Sequence, residues 1–504
     1  MSQHIERSAY PKASTGVAGL DLVFMGGLEV ERVYLVEGTP GTGKTTLAFS
    51  FLLEGVRNGE SALYITFSES EVELRSIAES HGWSLGGIHI FELVSATGLD
   101  SEIEQTVLHP SELELGETAR AVMARVQALN PVRVVFDSLS EIRLLAQNPQ
   151  RYRRQVLALK HFFTQMKCTV LLLDDRSSEP SAASSDLQLH SLTHGVIVLE
   201  QVVSEFGAER RRLRVVKMRG SQFRGGFHDF SIEPGGLVVY PRLTAREHHS
   251  EFGHNPVSTG SAELDQLLGG GLNPGTNALL IGPSGAGKTT TATCAMVAAL
   301  RRGDNAAYFL FDEGLPTLLA RSAALGMDLR PFIATGQLTL RQIDPAEMSP
   351  GEFTHHVRSA IERRHAKLIV IDSLNAYMQS MLGANYLVLQ MHELLTYLNQ
   401  RGAITLMVLA QHGMIGSIAA EVDLSYLADS IVLLRYFEAN GEVRKAISVV
   451  KARTANHERT IREFIIAPTG VVVGPPLKGF HGVLGGSPVW DEQAVPADLA
   501  SPYA

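Results

Sequence analysis

The amino-acid sequence predicts two copies of one α/β domain, each a mostly parallel sheet covered by helices. Three observations predict it. First, the blocks STGVAGLD at 14–21, GGL at 26–28 and GTPGTGKTT at 38–46 return as STGSAELD at 258–265, GGL at 270–272 and GPSGAGKTT at 282–290. All three are displaced by the same 244 residues, the mark of a duplicated domain. Second, each glycine-rich loop is preceded by an apolar run (ERVYLVE, TNALLIG) and followed by a helix-like stretch (TTLAFSFLLEGVRNG, TTTATCAMVAALRRG). Third, short apolar runs recur through the first half, namely ALYITF, IHIFEL, VRVVFD, CTVLLLD, GVIVLE and LRVVKM. They alternate with helical patterns such as ESEVELRSIAESHGW, as expected of strands buried on both faces. The expected divisions are a first domain over 1–245, a linker over 246–257, a second domain over 258–486 and a short tail over 487–504. The linker reading rests on the polar stretch LTAREHHSEFGHNP; its His248–His249 pair lacks further ligands at metal-binding spacing.

Composition narrows the function class. The chain has 504 residues, 45% of them hydrophobic and 19% charged, which suits globular domains with cores of their own. A formal net charge of −9 does not suggest a protein living on nucleic-acid phosphates. Cys168 and Cys294 are the only cysteines, too few for a disulfide framework or a four-cysteine zinc site, and they fit a reducing compartment. The first residues show no apolar signal core, and the most apolar later stretches are too short to span a bilayer. The expectation is a cytoplasmic protein without membrane or nucleic-acid partners.

Within each loop the glycines let backbone N–H groups turn toward phosphate oxygens, while the next helix presents its positive end. The phosphate-binding set is therefore Gly38, Thr39, Pro40, Gly41, Thr42, Gly43, Lys44, Thr45 and Thr46, repeated as Gly282, Pro283, Ser284, Gly285, Ala286, Gly287, Lys288, Thr289 and Thr290. Lys44 and Lys288 should reach the β- and γ-phosphates of ATP. The hydroxyls of Thr45 and Thr289 should face Mg²⁺, with Asp137 and Asp372, at the ends of VRVVFD and KLIVID, holding the ion from neighbouring strands. Hydrolysis also needs a group that orients or deprotonates the attacking water. Glu69 and Glu313, again 244 apart, stand after the second strand of each half and are the candidates, with Asp312 beside the latter. The remaining part is a cation for the transition state. Lys217 with Arg219, and Lys451 with Arg453, occur late in each half at strand spacing, so that each pair faces one way.

Taken together these motifs resemble the KaiC family, two-domain RecA-like P-loop ATPases, over roughly residues 14–470. The specific parts are the STG…LD and GGL lead-ins, the acidic pair after the second strand, the KMRG segment at 217–220 and IREF at 461–464. The resemblance implies a homo-hexamer of stacked double rings, with ATP between subunits and the Lys/Arg pairs acting from the neighbour. It also implies protein signalling partners, either KaiB-like or of the histidine kinase and response regulator kind. The family's best-known members hydrolyse ATP in the first ring and phosphorylate an adjacent Ser and Thr through the second. Here the first acidic pair is Ser68-Glu69, one carboxylate short, and the Ser-Thr pair aligns with Ser425-Tyr426. Ser425 is the expected acceptor; Tyr426 carries its hydroxyl several ångströms farther. The Pro/Ala-rich tail does not suggest an activator site. Two other readings stay open. One is a RecA-class DNA-dependent ATPase, supported only by the arginine runs at 151–154 and 209–214. The other is a nucleotide-dependent scaffold with little turnover.

Overall fold

The computed structural model describes residues 10–93, 110–176, 189–202, 207–245, 250–379, 384–411, 425–439, 441–454, 456–468, 470–478, 480–483 and 489–490. The chain divides into two compact units, Met1–Glu205 with Glu209–Arg242, and Phe206–Ala208 with Leu243–Ala504. His248 and His249 lie outside the described residues.

In the first unit a short pair, β1 (Lys12–Ala13) and β2 (Leu28–Glu29), precedes the main strands. These are β3 (Val33–Gly38), β4 (Ala62–Thr66), β5 (Ile88–Glu92), β6 (Arg133–Asp137), β7 (Thr169–Asp175), β8 (Gly195–Val202), β9 (Arg210–Met218), β10 (Phe227–Glu233) and β11 (Gly236–Tyr240). They form one sheet in the order β11-β10-β9-β8-β3-β7-β6-β4-β5. From β8 to β5 every pairing is parallel; from β8 to β11 every pairing is antiparallel. The second unit repeats this with β12 (Asn277–Gly282), β13 (Asn305–Leu310), β14 (Leu338–Gln342), β15 (Ala366–Asp372), β16 (Ile404–Ala410), β17 (Ser430–Ala439), β18 (Glu442–Ala452), β19 (Arg462–Ala467) and β20 (Gly470–Pro476). Their order, β14-β13-β15-β16-β12-β17-β18-β19-β20, is the first order read from its other end with each strand number raised by nine. The duplicated, mostly parallel α/β architecture expected from sequence is thus the observed one.

Each phosphate-loop strand lies at the centre of its sheet, and its unbroken apolar run follows from burial on both faces. Tyr34 and Val36 of β3 enter one core while Val33 and Leu35 enter the other. In β12, Ala278 and Leu280 face one core and Leu279 the other.

The repeated lead-in motifs have a mechanical explanation. Asp21 Oδ1 accepts from the Thr15 amide at 2.8 Å and the Thr15 hydroxyl at 2.7 Å, while Oδ2 accepts from Ser14 Oγ at 2.7 Å. Asp265 makes the same three bonds with Thr259 and Ser258, so STG…D is a side-chain clasp over a turn. In the GGL blocks a Cβ on Gly27 would come within 2.5 Å of the Ala13 carbonyl, and one on Gly271 within 2.4 Å of the Val257 carbonyl. Only glycine admits that approach.

One buried difference between the units lies at the start of β6. Arg133 opens β6 at 1% exposure, pairs with Glu60, and donates to the Ser14 and Phe51 carbonyls at 2.6 and 2.8 Å. Its guanidinium also lies over the Phe51 ring, 4.7 Å from the centroid. The residue 235 places later, Leu368, is part of an apolar core cluster.

Candidate ATP sites

Each phosphate loop leaves the end of a central strand and runs into a 14-residue helix, Lys44–Arg57 in the first unit and Lys288–Arg301 in the second. The N-caps Gly43 and Gly287 are left-handed, at φ +94° and +109°, a turn that side-chain-bearing residues rarely adopt. That turn aims the first amides of the helix into the loop. Lys44 Nζ donates to the carbonyls of Gly38 (2.9 Å) and Thr39 (3.1 Å) and pairs with Asp175 at 2.7 Å. Lys288 Nζ donates to the carbonyls of Gly282 and Pro283, both at 2.8 Å. Both ammonium groups are therefore held at the mouth of their loops.

Asp137 and Asp372 end β6 and β15, two strands from the loop strand, and each accepts a hydrogen bond from a buried tyrosine. Tyr64 donates to Asp137 Oδ2 at 2.5 Å and Tyr308 to Asp372 Oδ2 at 2.9 Å. Burial raises both carboxyl pKa values against the pull of these bonds. The Thr289 hydroxyl faces Asp372, and the Thr45 hydroxyl faces Tyr64, the donor to Asp137. Threonine hydroxyl and carboxylate thus converge in both units. An all-oxygen donor set around a desolvated carboxylate suits Mg²⁺. Among the described residues no group of three His, Cys, Asp or Glu stands together as a metal cage, so the ion's remaining ligands would come from phosphate and water.

The glutamates follow on the neighbouring strands. Glu69 is fixed at its backbone by Thr66, whose hydroxyl donates to its carbonyl and accepts from its amide. Its side-chain pKa is raised, first by burial and then by the charges of Asp137 and Glu73, with Lys44 opposing. Its Oε2 is buried without a hydrogen-bond partner. Ser68 is exposed beside it. In the second unit Ser373 donates to Asp312, while Glu313 pairs through both oxygens with Arg321 at 2.8 Å each. Lys288, Thr289, Asp312, Glu313, Arg321 and Asp372 line one cavity of about 330 Å³.

The Lys/Arg pairs stand elsewhere. Lys217 faces Val196, the second residue of β8, and Lys451 faces Ile431, the second residue of β17. The phosphate loop leaves level with Leu199, so Lys217 is roughly 10 Å back along the sheet and two strands aside. Arg219 and Arg453 fall just past the ends of β9 and β18 rather than within them, although their amides continue the ladder by bonding His194 and Asp429. Lys217 donates to the carbonyls of His190 and Thr193, and burial lowers its pKa to about 8. Arg219 donates to the Ser191 carbonyl at 2.7 Å, and Arg453 lies 3.5 Å from Asp429. By register each lysine stands about three residues, roughly 10 Å, behind the start of its own phosphate loop.

The KaiC ATPase family model matches residues 13–244 and again 257–478, the same two stretches that carry this geometry. The chain belongs to that family. Among curated KaiC proteins, it is 26% identical over 498 residues to the circadian clock protein KaiC3 of Synechocystis sp., covering 97% of each chain. It is 27% identical over 502 residues to the circadian clock oscillator protein KaiC of Synechococcus elongatus, covering 96% of this chain and 93% of the other. As a KaiC-family ATPase it carries two nucleotide-binding loops on two RecA-like domains.

Ser425 opens a 3-10 turn over Ser425–Leu427, with its side chain outside the described residues; Tyr426 is 50% exposed. The arginine run at 209–214 is engaged within its own unit: Arg212 bonds Glu200 at 2.9 Å and stacks over Phe227, and Arg214 stands 3.6 Å from Glu200. No helix among the described residues is long and apolar enough to cross a membrane. Sequence reasoning did not single out Tyr64 and Tyr308, although their 244-residue offset inside apolar runs was visible. It also passed over Asp175, the last residue of β7, and Arg321, which reads as an ordinary helix-surface cation.

Proposed function

We propose that this KaiC-family ATPase works as a ring of identical subunits, a homo-hexamer of two stacked tiers, in which each MgATP is completed by the neighbouring chain. Residues 246–257 join the two domains. The observation that carries this reading is the position of the Lys/Arg pairs, duplicated in both units yet set back by register from their own phosphate loops. Lys44 and Lys288 hold the phosphates, and Thr45 with Asp137 and Thr289 with Asp372 hold Mg²⁺. Glu69 and Glu313 orient the attacking nucleophile, Asp312 adds charge beside the second, and Lys217–Arg219 and Lys451–Arg453 stabilise the neighbour's transition state. Mg²⁺ held there would neutralise phosphate charge. Ser425 is the acceptor of a second-domain autokinase, and the output is signalling to a protein partner, KaiB-like or of the histidine kinase and response regulator kind. Arg212 and Arg214, turned to Glu200 and Phe227, lend a DNA-tracking role no support.

Subunit mixing tests the reading. In a Glu313→Gln background, Lys44→Ala chains and Arg219→Ala chains are each expected to be inactive. Mixed one to one, a random ring places an intact loop against an intact arginine at one interface in four, so about a quarter of the parental turnover should return. No recovery in mixed rings would show that Arg219 does not act across subunits.

A further inference from the structure

The two units share strand order, loops, clasps and buried tyrosines, but they treat the glutamate after the second strand differently. Arg321, in the last turn of the helix Leu315–Ala324, presents Nη1 to Glu313 Oε1 and Nη2 to Oε2, both at 2.8 Å. This fork-to-fork pair sits within the ATP cavity, whose other charged groups are Lys288 from the loop, Asp312 and Asp372. In the first unit the residue 244 places earlier is Ile77, which packs against an apolar core cluster. Glu69 instead keeps a buried oxygen with no hydrogen-bond partner.

A carboxylate gripped in this way has the near lone pair of each oxygen committed to an N–H donor. To take a proton from an attacking water or hydroxyl it must use the outer lone pairs or first open the pair. We propose that Arg321 is a latch on Glu313: a positioning residue that restrains the second domain's glutamate and has no counterpart in the first. This rests on the reading of Glu313 as the group that orients the second-domain nucleophile. It separates the two tiers chemically, with an unlatched site at Glu69 and a slower, latched site at Glu313. Both members of the pair keep some solvent contact, at 38% and 22% side-chain exposure, so the grip is a restraint that opens and not a permanent block.

The test uses the full chain with Glu69→Gln to silence first-domain turnover, and reads phosphate release from MgATP. Arg321→Ala should raise kcat several-fold, on the order of tenfold at most, with KM changed little. Arg321→Lys, which keeps the charge but loses the fork, should fall between the two. An unchanged or lower kcat in Arg321→Ala, with a fluorescent ATP analogue still bound, overturns the latch. So does a rise that persists when Glu313→Gln is added, because the arginine would then act on another group. If Glu313→Gln alone leaves turnover intact in this background, the role of Glu313 has failed before the latch is reached.

Discussion

His228 ties the stability of the first unit to pH. It is fully buried in β10, where its Nε2–H donates to the Arg224 carbonyl at 2.9 Å and its Nδ1 accepts from the Arg242 amide at 2.8 Å. Those partners fix one neutral tautomer, since a proton on Nδ1 would oppose the Arg242 N–H. Burial, then the charges of Arg242 and Arg224, take the imidazole pKa from 6.5 down to about 4, against the bond to the Arg224 carbonyl. The folded pKa lies below the unfolded one, so between them the unfolded chain binds more protons. The contribution is fully present above pH 6.5 and is lost as pH falls toward 4. A displacement from 6.5 to about 4 corresponds to about 3 kcal/mol in full, of which about 2 kcal/mol is gone by pH 5. Urea unfolding followed by the fluorescence of Trp83, which packs on Phe49 in this unit, measures it at pH 7.5 and 5.0. His228→Gln removes the titration, so the parent should lose about 2 kcal/mol more than the variant between those pH values. His194, also lowered to about 4 by burial and then Lys160, contributes equally to both and cancels. Equal losses in parent and variant would refute the linkage.

Arg133→Ala strands Glu60 and two buried carbonyls and should cost the first unit about 3 kcal/mol, read as a lower urea midpoint of the Trp83 transition. Arg133→Leu, the residue that the second unit has at this place, should cost less because it refills the space. For the kinase reading, intact-mass measurement after incubation with MgATP should show the mass of one added phosphate, absent in Ser425→Ala. Phosphate persisting in that variant would place the acceptor at Tyr426 or elsewhere.

What could be read from the chain was set by burial. The parallel strands inside the sheet are buried on both faces, so runs such as VYLVE and VVFD stand out without any partner being known. The hairpin β10–β11 did not, because FHDFSIE alternates between core and solvent and carries His, Asp and Ser on a strand. The phosphate loops were legible because their chemistry is local in sequence. Asp175 was not, because its partner Lys44 lies far away in the chain, and Arg321 was not, because a helical arginine gives no sign in sequence that it turns back onto Glu313 before its own helix. The Lys/Arg pairs were found by repetition, but only the register shows them displaced from their own phosphate loops.

The tyrosine–aspartate bond carries a record of how the duplicated halves have aged. Tyr308 follows Tyr64 by 244 positions, whereas Asp372 follows Asp137 by 235, so the second half is nine residues shorter between the two partners. The same hydroxyl still meets the same carboxylate oxygen in both. The spacer between β4 and β6 has therefore been edited without disturbing the distance that matters. Its length differs between the halves, and peptide insertions for labelling belong between β5 and β6, clear of Glu69 and the phosphate loop.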